Sequence, residues 1–113
     1  LGLRESLRLF NNGYSMALMI DQRVSEGVKV KFFDKEAYTT SIPAQFVKKF
    51  NCKIVPINIE RINDSNFEIY IFEAIKFSKD ASISEITYQL NKWLEKIIIK
   101  NSSKWIWSHD RWK

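Results

Sequence analysis

The sequence predicts an α/β fold, because helical and strand-like patterns alternate along its 113 residues. A long amphipathic stripe follows a capping pattern at Ser82. Two β-rich runs, residues 54–59 and 67–72, lie on either side of a turn cluster. A compact apolar run at residues 14–20 has the length of a buried strand. We therefore expect a partial mixed sheet with flanking helices.

The first element is a short amphipathic helix. Leu3, Leu7 and Phe10 follow helical spacing, and Gly13 is a typical residue at a helix stop. The apolar run at residues 14–20 is then predicted to be a buried strand.

Three polar residues, Asp21, Gln22 and Arg23, directly follow that predicted strand. Open α/β sheets place ligand sites beyond the carboxyl ends of their strands. A carboxylate, an amide and a guanidinium together can bind a sugar hydroxyl or a phosphate. A solvated turn is the alternative interpretation.

The next segment combines an extended arm and a second helix. Apolar and polar residues alternate after Gly27, through residues 28–32. Ser41 and Pro43 are typical of a helix start, and Asn51 is a plausible stop. The apolar stripe of this helix consists of Ile42, Phe46 and Phe50.

The second half predicts a hairpin and a long helix. Pro56 taken alone indicates an edge or bulged strand, and residues 63–66 form the turn before the partner strand. Ser82 and Glu85 have the spacing of a capping box. The stripe that follows consists of Ile83, Ile86, Leu90, Trp93, Leu94, Ile97 and Ile98.

Composition excludes several classes of protein. Cys52 is the only cysteine and His109 the only histidine, which excludes an internal disulfide and a Cys-rich zinc site. Three scattered glycines exclude a P-loop and a dinucleotide fingerprint. The net charge of +5 indicates an anionic partner, namely nucleic acid, lipid headgroups or an acidic protein, unless it is compositional background.

Residues 104–113 form an aromatic tail that holds three of the four tryptophans together with His109 and Arg111. Rings interleaved with cations can stack on nucleic acid bases, lie at a membrane interface or pack on the core. His109 is either structural or catalytic, since a catalytic histidine needs a partner that orients it.

Four sequence blocks occur in an order typical of one family. They are Met-Ile-Asp-Gln at 19–22, Val-Lys-Phe-Phe at 30–33 with Thr-Thr-Ser at 39–41 and Pro-Ala at 43–44, Cys-Lys-Ile-Val-Pro-Ile at 52–57, and Trp-Ile-Trp-Ser-His-Asp-Arg-Trp-Lys at 105–113. Together they resemble the C-terminal part of the bacterial lipid A biosynthesis acyltransferases, the lauroyl/myristoyl transferase family. Departures are Asp34 in place of a usual glycine, Ser102-Ser103 in place of Pro-Glu, and Asp110 at a commonly basic position.

The resemblance implies that residues 1–113 are a single partial domain, the C-terminal part of a glycerolipid-acyltransferase-like fold. The family's catalytic His-x-x-x-x-Asp/Glu motif lies upstream of these blocks, and His109 belongs to the closing block. We therefore expect no catalytic residue in this chain, no activity from it alone, and a membrane anchor in the part that precedes it.

The resemblance also implies a reaction and its partners. An acyl–acyl carrier protein donates a fatty acyl chain to an anionic glycolipid, at the cytoplasmic face of the inner membrane. No cofactor, metal or nucleic acid is expected, and coenzyme A stays open as the alternative donor. The expected substrate-binding residues are Asp21, Gln22, Arg23, His109 and Arg111. The alternative function is a small basic nucleic-acid-binding module that uses the tryptophans of the tail.

Overall fold

Helices alternate with hairpins in the part of the chain that the computed structural model describes, residues 2–105 and 110–112. The α/β class predicted from the sequence is confirmed. The elements are α1 (Leu3–Asn11), β1 (Val28–Phe32), β2 (Lys35–Thr39), α2 (Ile42–Phe50), β3 (Ile57–Arg61), β4 (Phe67–Ile71), α3 (Ile83–Lys100) and a 3-10 turn, η1 (Ser102–Lys104). Within these ranges no helix combines the length and the apolarity needed to cross a bilayer.

The β1–β2 hairpin was not predicted. The sequence indicated only an extended arm for these residues. Its strands are antiparallel, with Val28 opposite Thr39 and Phe32 opposite Lys35. The turn uses Phe33 and Asp34 at φ values of 49° and 62°, the left-handed region that two-residue hairpin turns require. Because neither residue is glycine or asparagine, the usual sequence signal for this turn is missing.

Gly27 lies against the far end of this hairpin. A Cβ atom at this position would lie 2.3 Å from the carbonyl oxygen of Thr39. Only glycine therefore allows the chain to approach β2 so closely.

The β3–β4 hairpin predicted from the sequence is confirmed, with Ile57 opposite Ile71 and Arg61 opposite Phe67. Pro56 precedes β3, so its missing N–H interrupts no ladder bond, and its carbonyl accepts from Phe72 N at 3.0 Å. In the described residues the strands form two separate two-stranded antiparallel sheets where we expected one mixed sheet.

The buried strand predicted at residues 14–20 is wrong. The segment has no regular secondary structure, and Tyr14 and Met19 are 63% and 73% exposed. No described strand pairs with it, so its backbone has no ladder to join. An apolar run indicates that a segment tends to be buried. It does not show that the same chain supplies the surface that buries it.

Helix α3 forms the centre of the core. Its first half, with Ile86 and Leu90, belongs to a cluster with α2, and its second half, with Leu94 and Ile98, belongs to a cluster with β1 and β2. The predicted capping box is confirmed, since Ser82 Oγ accepts from Glu85 N at 3.1 Å and Glu85 Oε2 accepts from Ser82 N at 3.3 Å.

The two shorter helices also begin and end close to where the sequence predicts. The chain after α1 turns at Gly13, with φ at 92°, and α2 is followed by Asn51 in the left-handed conformation. Phe10 of α1 packs edge-on against Phe46 of α2, with 5.0 Å between the ring centroids.

Candidate functional site

Arg111 is fully buried and bound to the β1–β2 hairpin. Its Nη2 atom donates to Thr39 Oγ1 at 2.8 Å, and Nη1 donates to the carbonyl oxygen of Tyr38. The guanidinium also lies over the ring of Phe32, 5.3 Å from its centroid. The arginine of the closing block therefore holds the tail to β2 rather than extending into solvent.

The neighbouring Trp112 makes a second connection to the same hairpin. Its indole Nε1 donates to the carbonyl oxygen of Phe32 at 2.8 Å, and its ring stacks on Phe32 with 5.5 Å between centroids. Trp105 approaches the same phenylalanine at 6.3 Å. Of the three interpretations of the tail, packing on the core describes these two tryptophans. Trp107 and His109 lie outside the described residues.

Three polar side chains of α3 face the hairpin, a feature that the sequence analysis missed. Thr87, Asn91 and Glu95 are four residues apart, and each is buried. Their four-residue spacing places the three side chains on one face of the helix, beside the apolar stripe. This spacing is the sequence pattern that could have predicted the arrangement. Their burial requires hydrogen-bond partners, because an unpaired buried polar group is destabilising.

The hairpin supplies most of those partners. Asn91 Nδ2 donates to Thr39 Oγ1 at 3.1 Å and approaches the carbonyl oxygen of Lys31 at 3.3 Å. Glu95 Oε1 accepts from Phe33 N at 2.7 Å, which holds the left-handed turn. Within the described residues Asn91 Oδ1 and Arg111 Nε have no hydrogen-bond partner. Thr39 thus lies at the centre of a buried polar cluster that joins β2, α3 and the tail.

Asp21, another residue predicted to bind substrate, acts on Arg111 of this cluster through its charge. Burial lowers the pKa of the Arg111 guanidinium below its ordinary value, and the negative charge of Asp21 acts in the opposite direction. The two described side chains form no salt bridge, so the interaction acts through space. Asp21 is half-buried, whereas Gln22 and Arg23 are exposed beside it.

The charge of Asp21 thus acts on Arg111, which lies far from it in sequence, without a described salt bridge between them. Gln22 and Arg23 face solvent next to Asp21, and His109 lies outside the described residues. Substrate binding by these five residues stays a prediction.

The remaining candidate for chemistry is Cys52, which is half-buried. Burial raises the pKa of its thiol, so the thiolate is scarce at neutral pH. Among the described residues no group of three or more His, Cys, Asp or Glu side chains is placed to hold a metal ion.

Helices and antiparallel hairpins around one central helix make this an α/β chain compatible with part of an acyltransferase. The family model for bacterial lipid A biosynthesis acyltransferase matches residues 2–113. The chain therefore belongs to that family, and its function is of the lipid A acyltransferase type, with an acyl donor and a lipid acceptor. No curated protein matches it significantly.

Proposed function

We propose that this chain forms the acceptor-binding part of an enzyme that moves a fatty acyl chain from acyl carrier protein to a lipid A precursor. The observation that carries the proposal is the family match across residues 2–113. The proposed reaction forms an ester at a hydroxyl of a lipid-linked glucosamine disaccharide and breaks the donor's thioester. The carrier protein leaves as a thiolate, which takes up the proton lost by the acceptor hydroxyl and becomes a thiol.

The catalytic base of this reaction is proposed to come from polypeptide outside these 113 residues. The only histidine of these residues, His109, belongs to the closing block rather than to a His-x-x-x-x-Asp/Glu motif. The exposed strip before Asp21, with Tyr14, Leu18 and Met19, supports the proposal, because it offers an apolar surface for such a segment to cover. A histidine there would take the proton of the acceptor hydroxyl, and a carboxylate would orient the histidine.

The residues of this chain would then orient the acceptor. The half-buried carboxylate of Asp21 accepts hydrogen bonds from sugar hydroxyls, and the exposed guanidinium of Arg23 meets phosphate. Arg111 holds β2 through its own N–H groups, which donate to Thr39 and Tyr38. We propose that it is a positioning residue that supports the acceptor side from the core, where the charge of Asp21 acts on it through space.

The inner membrane, at its cytoplasmic face, is the proposed location of the full enzyme. The net charge of +5 supports the two proposed partners, because the glycolipid acceptor and acyl carrier protein are both acidic. Opposite charge increases encounter rates with both partners.

Acyl transfer from labelled acyl–acyl carrier protein to a lipid A precursor tests the proposal. The whole encoded enzyme should transfer the acyl chain, and the 113-residue chain alone should not. Turnover by the 113-residue chain alone would contradict a catalytic base outside it. Transfer from acyl–coenzyme A, but not from acyl–acyl carrier protein, would contradict the proposed donor.

Asp21→Ala in the whole enzyme should lower kcat/KM roughly tenfold or more, whereas Asp64→Ala, in the exposed β3–β4 turn, should leave it unchanged. Equal kinetics for both variants would remove Asp21 from the site.

A further inference from the structure

A connecting segment, residues 21–27, joins the apolar strip to strand β1 and begins with the proposed acceptor-binding run at residues 21–23. The segment has no regular secondary structure. Among the described residues, positions 21–26 form no backbone hydrogen bond. The place of the acceptor-binding run is therefore determined by how the two ends of the connecting segment pack against the rest of the chain.

Ile20 holds the start of the connecting segment. This side chain is half-buried, and it packs against both clusters of the core, the one shared with α2 and the one shared with the first hairpin. Asp21 follows it directly, so the backbone of the segment leaves the core where the two clusters meet.

Gly27 holds the other end by a close approach to β2. An added Cβ atom would lie 2.3 Å from the carbonyl oxygen of Thr39 and 2.9 Å from its carbonyl carbon. Both are backbone atoms of a paired strand, which cannot turn aside as a flexible side chain does. The same Cβ would lie 3.1 Å from Cγ2 of Val24, which is half-buried within the segment. The φ angle of Gly27 is not positive, so limited space, rather than backbone conformation, requires glycine here.

Thr39 connects this close approach to the buried polar cluster. Its carbonyl oxygen lies beside Gly27, whereas its hydroxyl receives hydrogen bonds from Asn91 of α3 and from Arg111. The residue is buried, and its strand pairs with β1, so it is a fixed reference point for the chain around it. The charge of Asp21 acts on the same Arg111, which couples the start of the segment to a partner of this threonine.

We propose that Gly27 is a positioning residue for the acceptor, because its close approach to Thr39 sets the place of residues 21–23. The inference rests on the proposed function, in which those residues bind the sugar hydroxyls and phosphates of the glycolipid. A methyl group at residue 27 overlaps the β2 backbone and moves the connecting segment away from it, and the carboxylate of Asp21 moves with the segment. A shift of about 1 Å in a group that orients a substrate is enough to slow a reaction strongly.

Gly27→Ala in the whole enzyme tests the positioning role by kinetics. It should raise KM for the glycolipid acceptor roughly tenfold and leave KM for the acyl donor unchanged. Gly2→Ala is the matched control, because it adds the same methyl group where no atom lies within 4 Å, and it should change neither constant. An acceptor KM equal to that of wild type in a folded Gly27→Ala variant would overturn the proposal, and so would an equal rise in both KM values.

Hydrogen exchange measured by mass spectrometry tests the same role without turnover. Exchange across residues 20–28 should be faster in Gly27→Ala than in wild type, while α3 stays equally protected. Unchanged exchange across residues 20–28 would overturn the proposal. Val24→Ala keeps the test possible if Gly27→Ala does not fold. It removes a half-buried side chain beside Gly27 without crowding β2, and it should have the same two effects.

Asp21→Ala distinguishes a failure of this inference from a failure of the proposed function. If Asp21→Ala raises the acceptor KM and Gly27→Ala does not, the positioning role of Gly27 is wrong and acceptor binding at residues 21–23 stands. If Asp21→Ala leaves the acceptor KM unchanged, acceptor binding at these residues is wrong, and the positioning role for the acceptor is overturned with it.

Discussion

The guanidinium of Arg111 and the hydroxyl of Thr39 meet at 2.8 Å, across 72 positions of sequence. Asn91 donates to the same hydroxyl oxygen from α3. One threonine therefore receives hydrogen bonds from the central helix and from the tail, while its strand pairs with β1. The closing block of the family resemblance contributes to the architecture of this chain through that contact.

Removal of Arg111 should destabilise the fold. Arg111→Ala leaves Thr39 and the Tyr38 carbonyl without this donor and removes a ring contact, so the free energy of unfolding should fall by about 3 kcal/mol. Arg111→Lys should recover only part of this loss, because one ammonium group does not reproduce the geometry of the guanidinium fork. Urea unfolding followed by circular dichroism measures both variants. The exposed Arg23→Ala is the control, and an equal small effect at both sites would contradict the structural role.

Asp34→Gly should stabilise the β1–β2 hairpin. Asp34 has a φ of 62°, which is unfavourable for a residue with a Cβ atom, and glycine removes that cost. Because the backbone entropy of glycine offsets part of this relief, we expect a net gain of about 0.5–1 kcal/mol in the free energy of unfolding. Lys35→Gly is the control, since it replaces a β2 strand residue and should destabilise. A loss of stability in Asp34→Gly would show that the aspartate makes a compensating interaction.

Ser82→Ala should weaken the start of α3. The serine hydroxyl accepts from Glu85 N, and its loss leaves a helix N–H without that partner. We expect the free energy of unfolding to fall by about 1 kcal/mol in thermal or urea unfolding. Ser84→Ala changes the same side chain within the helix, where alanine is favourable, and should not destabilise. Similar losses from both variants would contradict a specific capping effect.

Alkylation of Cys52 should respond to pH differently in the folded and unfolded chain. Burial raises the pKa of the folded thiol, so the unfolded chain loses this proton at lower pH. The contribution of Cys52 to stability is thus full below the unfolded pKa and decreases as pH rises through the folded pKa. The rate of iodoacetamide labelling against pH should have a higher midpoint in buffer than in urea. Coincident midpoints would contradict burial of the thiol, and Cys52→Ser checks that labelling is specific.

Elements that depend on local signals could be predicted from the sequence. The capping box at Ser82, the stripe through Ile86 and Leu90, and the stop at Asn51 are decided by residues within a few positions of each other. The β1–β2 hairpin could not be predicted in this way, because its left-handed turn at Phe33 and Asp34 depends on Glu95, 62 positions away from Phe33.

The candidate site was predictable only in part. The polar run at residues 21–23 and the closing block singled out Asp21 and Arg111, and the charge of Asp21 acts on Arg111 through space. The burial of Arg111 was not predictable, because a charged side chain gives no local sign that Thr39 and Tyr38 will receive it. The exposure of Tyr14, Leu18 and Met19 has the same explanation, since it depends on which surfaces exist elsewhere.

The contacts of Arg111 and Trp112 with the first hairpin join positions 72 to 80 apart, and this separation affects the kinetics of folding. Closing so long a loop is entropically unfavourable until the hairpin and α3 have formed a surface to receive the tail. Contacts that form after the transition state affect the unfolding rate more than the folding rate. The tail therefore governs how long the folded state persists more than how quickly it is reached.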